Sequence, residues 1–209
     1  MISTVYAVLL AAGASRRFGK DNKLLIEIEG KPLVRRVAQR LLASRAAGVI
    51  VVTGFEAKRI AEALSGLDVQ FAANPDCTAG LSSSIRCGVA ALPEGADGAM
   101  IALADMPGLT TAFVDRLLEA FAQAGARKIV YPAGARQAQG NPVIWPARYF
   151  AQLQTLTGDA GARKLIGGNG DETRALRVDD EAMLRDIDTP GDLEQVRRFL
   201  SCFFTMSIY

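Results

Sequence analysis

The stretch Leu10-Ala11-Ala12-Gly13-Ala14-Ser15-Arg16-Arg17-Phe18-Gly19-Lys20-Asp21-Asn22-Lys23 combines small residues, a hydroxyl and several cations. Side chains as small as Ala11, Ala12 and Gly13 let backbone amides come close to a ligand. Consecutive amides can then form an anion-binding concavity. Ser15 adds a hydroxyl, and Arg16, Lys20 and Lys23 add positive charge, a set suited to a triphosphate. Two familiar phosphate loops do not fit: Asp21 follows Gly19-Lys20 where a P-loop needs Ser or Thr, and Gly13 and Gly19 do not make GxGxxG. A tight strand-to-helix turn carrying solvated basic residues accounts for the same composition.

Two acidic motifs could work beside such a loop. Leu103-Ala104-Asp105-Met106-Pro107 puts a carboxylate just past an apolar run, and Asp186-Ile187-Asp188-Thr189-Pro190 comes late in the chain. Asp105 also suits a turn before Pro107. Asp188 lies beside a helix start, where acids are favoured anyway, and Asp186 is expected to face solvent. The chain has 0 histidines, which excludes a Ser-His-Asp triad, a Cys-His dyad and a His-ligated metal. Chemistry must therefore come from carboxylates, Lys, Arg, backbone amides or hard metal ions. The 3 cysteines, Cys77, Cys87 and Cys202, form no CxxC pair, so a disulfide framework or zinc knuckle is not expected and a reducing compartment fits.

The elements that must position these residues follow from periodicity. Val5 to Leu10 is a continuous apolar run, as is Ala99 to Ala104, and Gly48 to Gly54 is a third run closed by glycines; all read as strands buried on both faces. Val69-Gln70-Phe71, Lys128 to Tyr131, Val143 to Trp145 and Thr173 to Val178 read as further strands. Helical stripes run from Pro32 through Leu42, over Ala57 to Leu64, over Ser84 to Leu92, and after Thr110 with Phe113, Leu117 and Phe121. Pro146 to Leu156 and Gly161 to Ile166 are shorter helical pieces. Thr189 is the expected N-cap of a last helix through Leu200, with Pro190 in first position and Asp192 at the positive end of the dipole.

Strands alternating with helices predict an α/β three-layer sandwich with a mostly parallel central sheet. Ligands in such sheets bind past the carboxyl ends of the strands, which singles out the Ala11–Lys23 stretch and Asp105. With 209 residues, a single domain over 1–198 is expected, followed by an uncharged tail, 199–209, with no assigned role. Half the residues are hydrophobic (50%), 22% are charged and the net charge is +2, so nothing calls for nucleic acid or an acidic membrane as partner. The apolar stretch Val5–Ala14 imitates a signal peptide but lacks a preceding positive residue, and no run approaches a membrane span; a cytoplasmic location is expected.

The loop from Leu10 to Lys23, with Asp105 and Asp188 in order after it, resembles the signature of the molybdenum cofactor nucleotidyltransferases (MobA-like NTP transferases). Phe18 stands where that family usually has methionine. The resemblance implies a Rossmann-like nucleotidyltransferase fold of the nucleotide-diphospho-sugar transferase type. It implies that Leu10, Ala11, Ala12, Gly13, Ser15, Arg16 and Lys23 wrap the NTP, with Lys23, Arg16 and Asp105 in catalysis and Asp105 and Asp188 on Mg2+. Asn74-Pro75 followed by Gly80-Leu81-Ser82-Ser83-Ser84 is similar to the cytidylyltransferase branch, which places Gly80, Ser82 and Ser83 near the base and ribose. Three serines before a helix match a plain N-cap cluster equally well. Gly140-Asn141-Pro142-Val143 and Gly158-Asp159-Ala160-Gly161-Ala162-Arg163 match further segments of that branch and suggest Asn141, Asp159 and Arg163 for the acceptor. A solvated arginine is the alternative for Arg163.

The resemblance thus implies transfer of CMP from CTP to the terminal phosphate of the molybdopterin cofactor, with pyrophosphate released. A molybdoenzyme or its chaperone would be the receiving partner. The acceptor phosphate is already anionic near neutral pH, so a chain without histidine is compatible with this chemistry. Three other readings stay open: an enzyme of the same fold using another NTP or a sugar, polyol or isoprenoid phosphate; a dinucleotide-dependent oxidoreductase, disfavoured by the missing glycine fingerprint; and a non-catalytic nucleotide sensor or assembly factor.

Overall fold

The computed structural model describes residues 3–15, 18, 21–134, 139–159, 162–167, 170–178 and 180–196. The tail 199–209, and the expected run of the last helix as far as Leu200, lie outside them.

In chain order the elements are β1 (Val5–Ala11), β2 (Glu27–Ile28), β3 (Lys31–Pro32), α1 (Leu33–Leu42), β4 (Gly48–Thr53), α2 (Ala57–Ala63) and β5 (Gln70–Ala73). There follow α3 (Leu81–Ala90), β6 (Gly98–Leu103), α4 (Thr111–Gln123), β7 (Ile129–Ala133), β8 (Val143–Pro146), α5 (Phe150–Leu153), α6 (Arg163–Gly167) and β9 (Thr173–Arg177). Residues 190–196 are helical. Among the described residues, no helix is long and apolar enough to cross a membrane.

Seven strands form one sheet in the order β5-β4-β1-β6-β8-β7-β9. β1 pairs in parallel with β4 and β6, β4 with β5, and β7 with β9, while β8 runs antiparallel to both of its neighbours. β1 is central and covered on both faces, which is why its sequence is apolar without alternation. Ala7, Leu9 and Ala11 face one layer with the buried stripes of α1 and α4; Val8, Leu10 and Ala12 face the other with Ile85 and Val89 of α3 and with Trp145. Successive residues of a strand point to opposite faces, so one buried strand feeds both layers of the sandwich. The predicted three-layer, mostly parallel architecture is the one observed.

Register decides what the sheet can hold. Leu10 is level with Leu103, Ala11 with Thr53, and Thr53 with Ala73. The segments leaving β1, β4, β5 and β6 therefore emerge at one edge of the sheet.

Several boundaries differ from the sequence reading. Helix α3 begins at Leu81 rather than Ser84, because Gly80 makes the turn at φ +94, a conformation that strains any L side chain. The three serines lie inside the helix; none caps it, and the Ser83 hydroxyl donates to the Gly80 carbonyl at 2.8 Å. Pro32 precedes the first turn of α1 and pairs with Glu27 in a small hairpin that periodicity did not predict. The piece expected over Pro146–Leu156 is a 3-10 turn at Ala147–Tyr149 followed by α5, and Pro146 belongs to β8. Thr110 does cap α4, accepting from the Phe113 amide at 3.2 Å.

Gly88 shows how closely the layers approach. A Cβ there would lie 2.2 Å from Cγ1 of Val8 and 3.0 Å from Cγ2 of Val52, both fully buried side chains. Alanine inside a helix normally gains about 1 kcal/mol over glycine. Here overpacking, which typically costs about 1–3 kcal/mol, should win because β-branched valines on a central sheet cannot step aside. Gly88→Ala is expected to lower stability in urea unfolding; a rise in the midpoint would show that α3 can lift off the sheet freely.

Candidate active site

The segment after β1 is shaped by local rules. Ser15 adopts φ 50, an unusual backbone for a residue with a side chain, and the Phe18 amide bonds back to its carbonyl at 2.8 Å. Asn22 then caps a short 3-10 turn at Lys23–Leu25, accepting from the Leu24 amide at 3.1 Å, and Leu24 is buried. This anchor on both sides of Lys23 sets the direction of its long side chain.

The Lys23 ammonium reaches Asp105 Oδ2 at 2.6 Å, the Ile187 carbonyl at 2.7 Å and Asp188 Oδ1 at 3.1 Å. An ammonium has three protons, so its donor capacity is filled. Burial alone would push its pKa down, but the neighbouring Asp105 and Asp188 carboxylates outweigh that and raise it, so Lys23 stays charged. Asp105 sits just past β6, 16% exposed. Burial pushes its carboxyl above the usual range and Asp186 adds to this, against the pull of Lys23 downward. Its second oxygen, Oδ1, is buried and, among the described residues, takes no hydrogen bond from another residue's side chain or backbone.

The late acidic motif arrives by a backbone bond: the Ile187 amide donates to the Asp105 carbonyl at 3.0 Å, and Ile187 is buried in the core. Asp186 and Asp188 flank it and share a side, as alternate residues of an extended segment do. The carboxylates of Asp105, Asp186 and Asp188 come within 4.8 Å of one another. Asp186 is exposed, as expected, yet it belongs to this cluster. The helix start beside Asp188 is a reciprocal capping box: the Thr189 hydroxyl accepts from the Asp192 amide at 3.3 Å, as expected of the N-cap, and Asp192 Oδ2 accepts from the amides of Asp188 and Thr189 at 3.1 and 2.7 Å. These hydrogen bonds, chiefly with Thr189, hold the Asp192 carboxyl below its usual range.

One cavity of about 630 Å³ unites the two distant motifs: Leu10, Ala12, Gly13, Ser15, Lys23, Gly80, Asp105, Asp159 and Asp188 all line it. Ala11 does not; its methyl is buried in the core. Arg16 and Lys20 lie outside the described residues. Ser82 and Ser83 are 0% and 3% exposed and do not line the cavity; Ser84, one residue further on, does. A helix begun at Leu81 turns the first two hydroxyls inward, so a side-chain contact from Ser82 or Ser83 to a nucleotide is not supported.

The three residues expected at the acceptor do not come together in that cavity. Asp159 lines it beside Gly80, held there by a bond from the Ser82 amide to the Gly158 carbonyl at 3.2 Å. Asn141 precedes β8 at the same sheet edge as Leu103 by register, but is not part of the lining, and Arg163 is exposed on α6. Sequence reasoning passed over Phe55, Cys77, Thr78, Leu81 and Leu103 as site residues, and they too line the wall. An aromatic directly after a buried strand and Gly54 was the available signal for Phe55.

A mostly parallel sheet, a turn of small residues leaving its first strand and an acidic cluster past a neighbouring strand define a nucleotidyltransferase. Residues 7–175 match the MobA-like NTP transferase domain, and the chain belongs to that family. It is 31% identical to nicotine blue oxidoreductase of Paenarthrobacter nicotinovorans, over 94% of this chain and 96% of that one. It is 28% identical to a protein named "Probable molybdenum cofactor guanylyltransferase" of Natronomonas pharaonis, over 93% and 97%. Among solved structures it superposes on Rv0371c of Mycobacterium tuberculosis H37Rv with a TM-score of 0.82 at 23% identity, covering 95% of this chain and 100% of that one. A manganese complex of Rv0371c superposes with a TM-score of 0.75 at 24% identity, covering 94% and 99%.

Proposed function

We propose that the protein is a magnesium-dependent cytidylyltransferase of the cytoplasm that transfers CMP from CTP to the terminal phosphate of the molybdenum cofactor. An acceptor phosphate oxygen attacks the α-phosphorus, the bond to the β-phosphate breaks, and pyrophosphate leaves. The observation that carries this reading is the single cavity lined by both the Gly13–Ser15 turn and the Lys23, Asp105 and Asp188 cluster.

The residues fit a divalent cation. Asp105 gives one oxygen to Lys23 and keeps a buried second oxygen with no donor from another described residue, and Asp186 and Asp188 bring further hard oxygens within 4.8 Å. Magnesium prefers such carboxylates together with phosphate oxygens, and when bound it neutralises triphosphate charge. Asp105 and Asp188 would hold it, with Asp186 beside them. The relative Rv0371c, solved with manganese, supports a divalent ion in this fold. The chain's own groups supply the rest. Amides of the Gly13–Ser15 turn orient the phosphates, and the permanent charge of Lys23 offsets the anionic cluster. The acceptor phosphate is its own nucleophile, so these groups act by alignment and charge stabilisation rather than by proton abstraction.

Cytidine is favoured by the Asn74-Pro75…Gly80-Leu81-Ser82-Ser83-Ser84 segment, of which Gly80, Leu81 and Ser84 line the cavity. The relative named a guanylyltransferase makes GTP the chief competitor. Pyrophosphate release should be measured with CTP, GTP, ATP and UTP, with molybdopterin cofactor as acceptor, with and without Mg2+. CTP should give the highest kcat/KM and chelation should stop turnover. Highest activity with GTP would reassign the base; absence of turnover with all four would remove molybdopterin cofactor as the acceptor. The relative named an oxidoreductase favours a second reading, a dinucleotide-dependent oxidoreductase. Oxidation of NADH or NADPH in a parallel assay would favour it.

A further inference from the structure

We infer that Phe55 is the platform on which the base of the bound nucleotide stacks, so that it supplies affinity without choosing the base. The inference rests on the nucleotide-binding reading above. Among the described residues, Phe55 (41% exposed), Phe71 (44%) and Leu81 (38%) are the large hydrophobic side chains left open to solvent. Two of them, Phe55 and Leu81, line the candidate cavity. Leaving a phenylalanine partly open forgoes part of what full burial would give, so an open ring on a cavity wall suits an apolar face that arrives with a ligand.

The backbone around this ring is held in place. The Phe55 amide donates to the Ala12 carbonyl at 3.1 Å, tying the segment after β4 to the turn after β1. Glu56 follows in the left-handed region at φ 51 and opens α2, so the direction change falls immediately after the ring. The placement also suits a base. β1 lies between β4 and β6, so Phe55 and Asp105 stand at the ends of strands two spacings apart, about 10 Å. A nucleoside monophosphate bridges that span, with its phosphate at the Lys23–Asp105 end and its base at the Phe55 end. Leu81, entering α3 beside Ser84, adds a second apolar contact on the same cavity.

Every base has a π-face, so stacking is tolerant of base identity. Selection must then come from polar groups at the base edge, for which Thr78 and Ser84 are the lining residues at hand.

The test compares wild type, Phe55→Ala and Phe55→Trp by titration with CTP, GTP and inorganic tripolyphosphate. Phe55→Ala should weaken CTP and GTP binding alike, by about tenfold or more, and leave tripolyphosphate binding unchanged; stacking losses of this size are typical. The chain's 1 native tryptophan, Trp145, is only 1% exposed and gives a steady background. In Phe55→Trp the new indole should therefore be quenched by CTP or GTP and not by tripolyphosphate. Unchanged nucleotide affinity in Phe55→Ala, equal loss of tripolyphosphate, or an indole indifferent to nucleotides would overturn the inference. A shift in the CTP to GTP ratio would overturn the claim that the ring does not choose. Wild type that binds no nucleotide would instead defeat the functional reading itself.

Discussion

Asp105→Asn should reduce turnover by about 10²–10³-fold, the scale lost when one preorganised electrostatic partner is removed from a reacting site. The effect is large because this carboxylate is shared. Oδ2 holds Lys23 at 2.6 Å, and Oδ1 is buried with no donor from another described residue. Asparagine can still accept from Lys23 through its carbonyl, so the ammonium keeps Ile187 and Asp188 and loses part of one partner. The stability penalty is expected to stay within about 1–3 kcal/mol. The ligand is what disappears: an amide is a far poorer oxygen donor to a divalent ion than a carboxylate, and the cluster falls from three acids to Asp186 and Asp188. Binding of Mn2+, followed by the loss of its free electron-spin signal, should weaken in step with kcat, while the thermal unfolding transition remains cooperative. A variant with wild-type turnover and wild-type Mn2+ affinity would end the assignment of Asp105 as a metal ligand.

Lys23→Met should also cut turnover by two orders of magnitude or more, on the same electrostatic grounds. Its effect on metal binding should have the opposite sign. The ammonium sits on Asp105 and Asp188, two of the three clustered acids, and it is fixed there by the Ile187 carbonyl. An incoming cation must share these oxygens with it. Methionine keeps most of the apolar stem and removes the competing charge, so Mn2+ affinity measured without nucleotide should rise severalfold. The like-charge repulsion among Asp105, Asp186 and Asp188 then lacks the Lys23 charge, which strengthens the demand for an external cation. The pair of variants separates the roles of the two residues. Metal affinity falling in Lys23→Met would mean that the ammonium holds the acids in place, and undiminished turnover would remove Lys23 from catalysis.

The sandwich was legible because burial on both faces leaves a signature in composition. Val5–Ala11 and Gly48–Thr53 are apolar without alternation, and a strand can be so only between two covering layers. The helices between them carry clear stripes, so layer order followed from alternation alone. The small-residue turn and Asp105 were also legible, since strand ends at one edge of a parallel sheet are where ligands collect. Less visible were features that depend on where a backbone turns. Gly80 at φ +94 starts α3 three residues early and thereby turns Ser82 and Ser83 inward, leaving Ser84 on the cavity. No hydroxyl pattern encodes that choice, because serine suits an N-cap and a first turn nearly equally.

What the amino-acid order settled by itself was local: which runs must be buried, where the chain can approach an anion closely, and that without histidine the chemistry falls to carboxylates, lysine and metal. What only the tertiary structure decided was pairing across distance. Asp188 meets Lys23 because Ile187 is buried and its amide bonds to the Asp105 carbonyl, and because Thr189 and Asp192 cap the helix between them. Phe55 reaches the same cavity because β4 lies beside β1 in the sheet. Contacts of this kind depend on strand order and register, which arise from packing the whole core and leave no trace in the spacing of the residues they join.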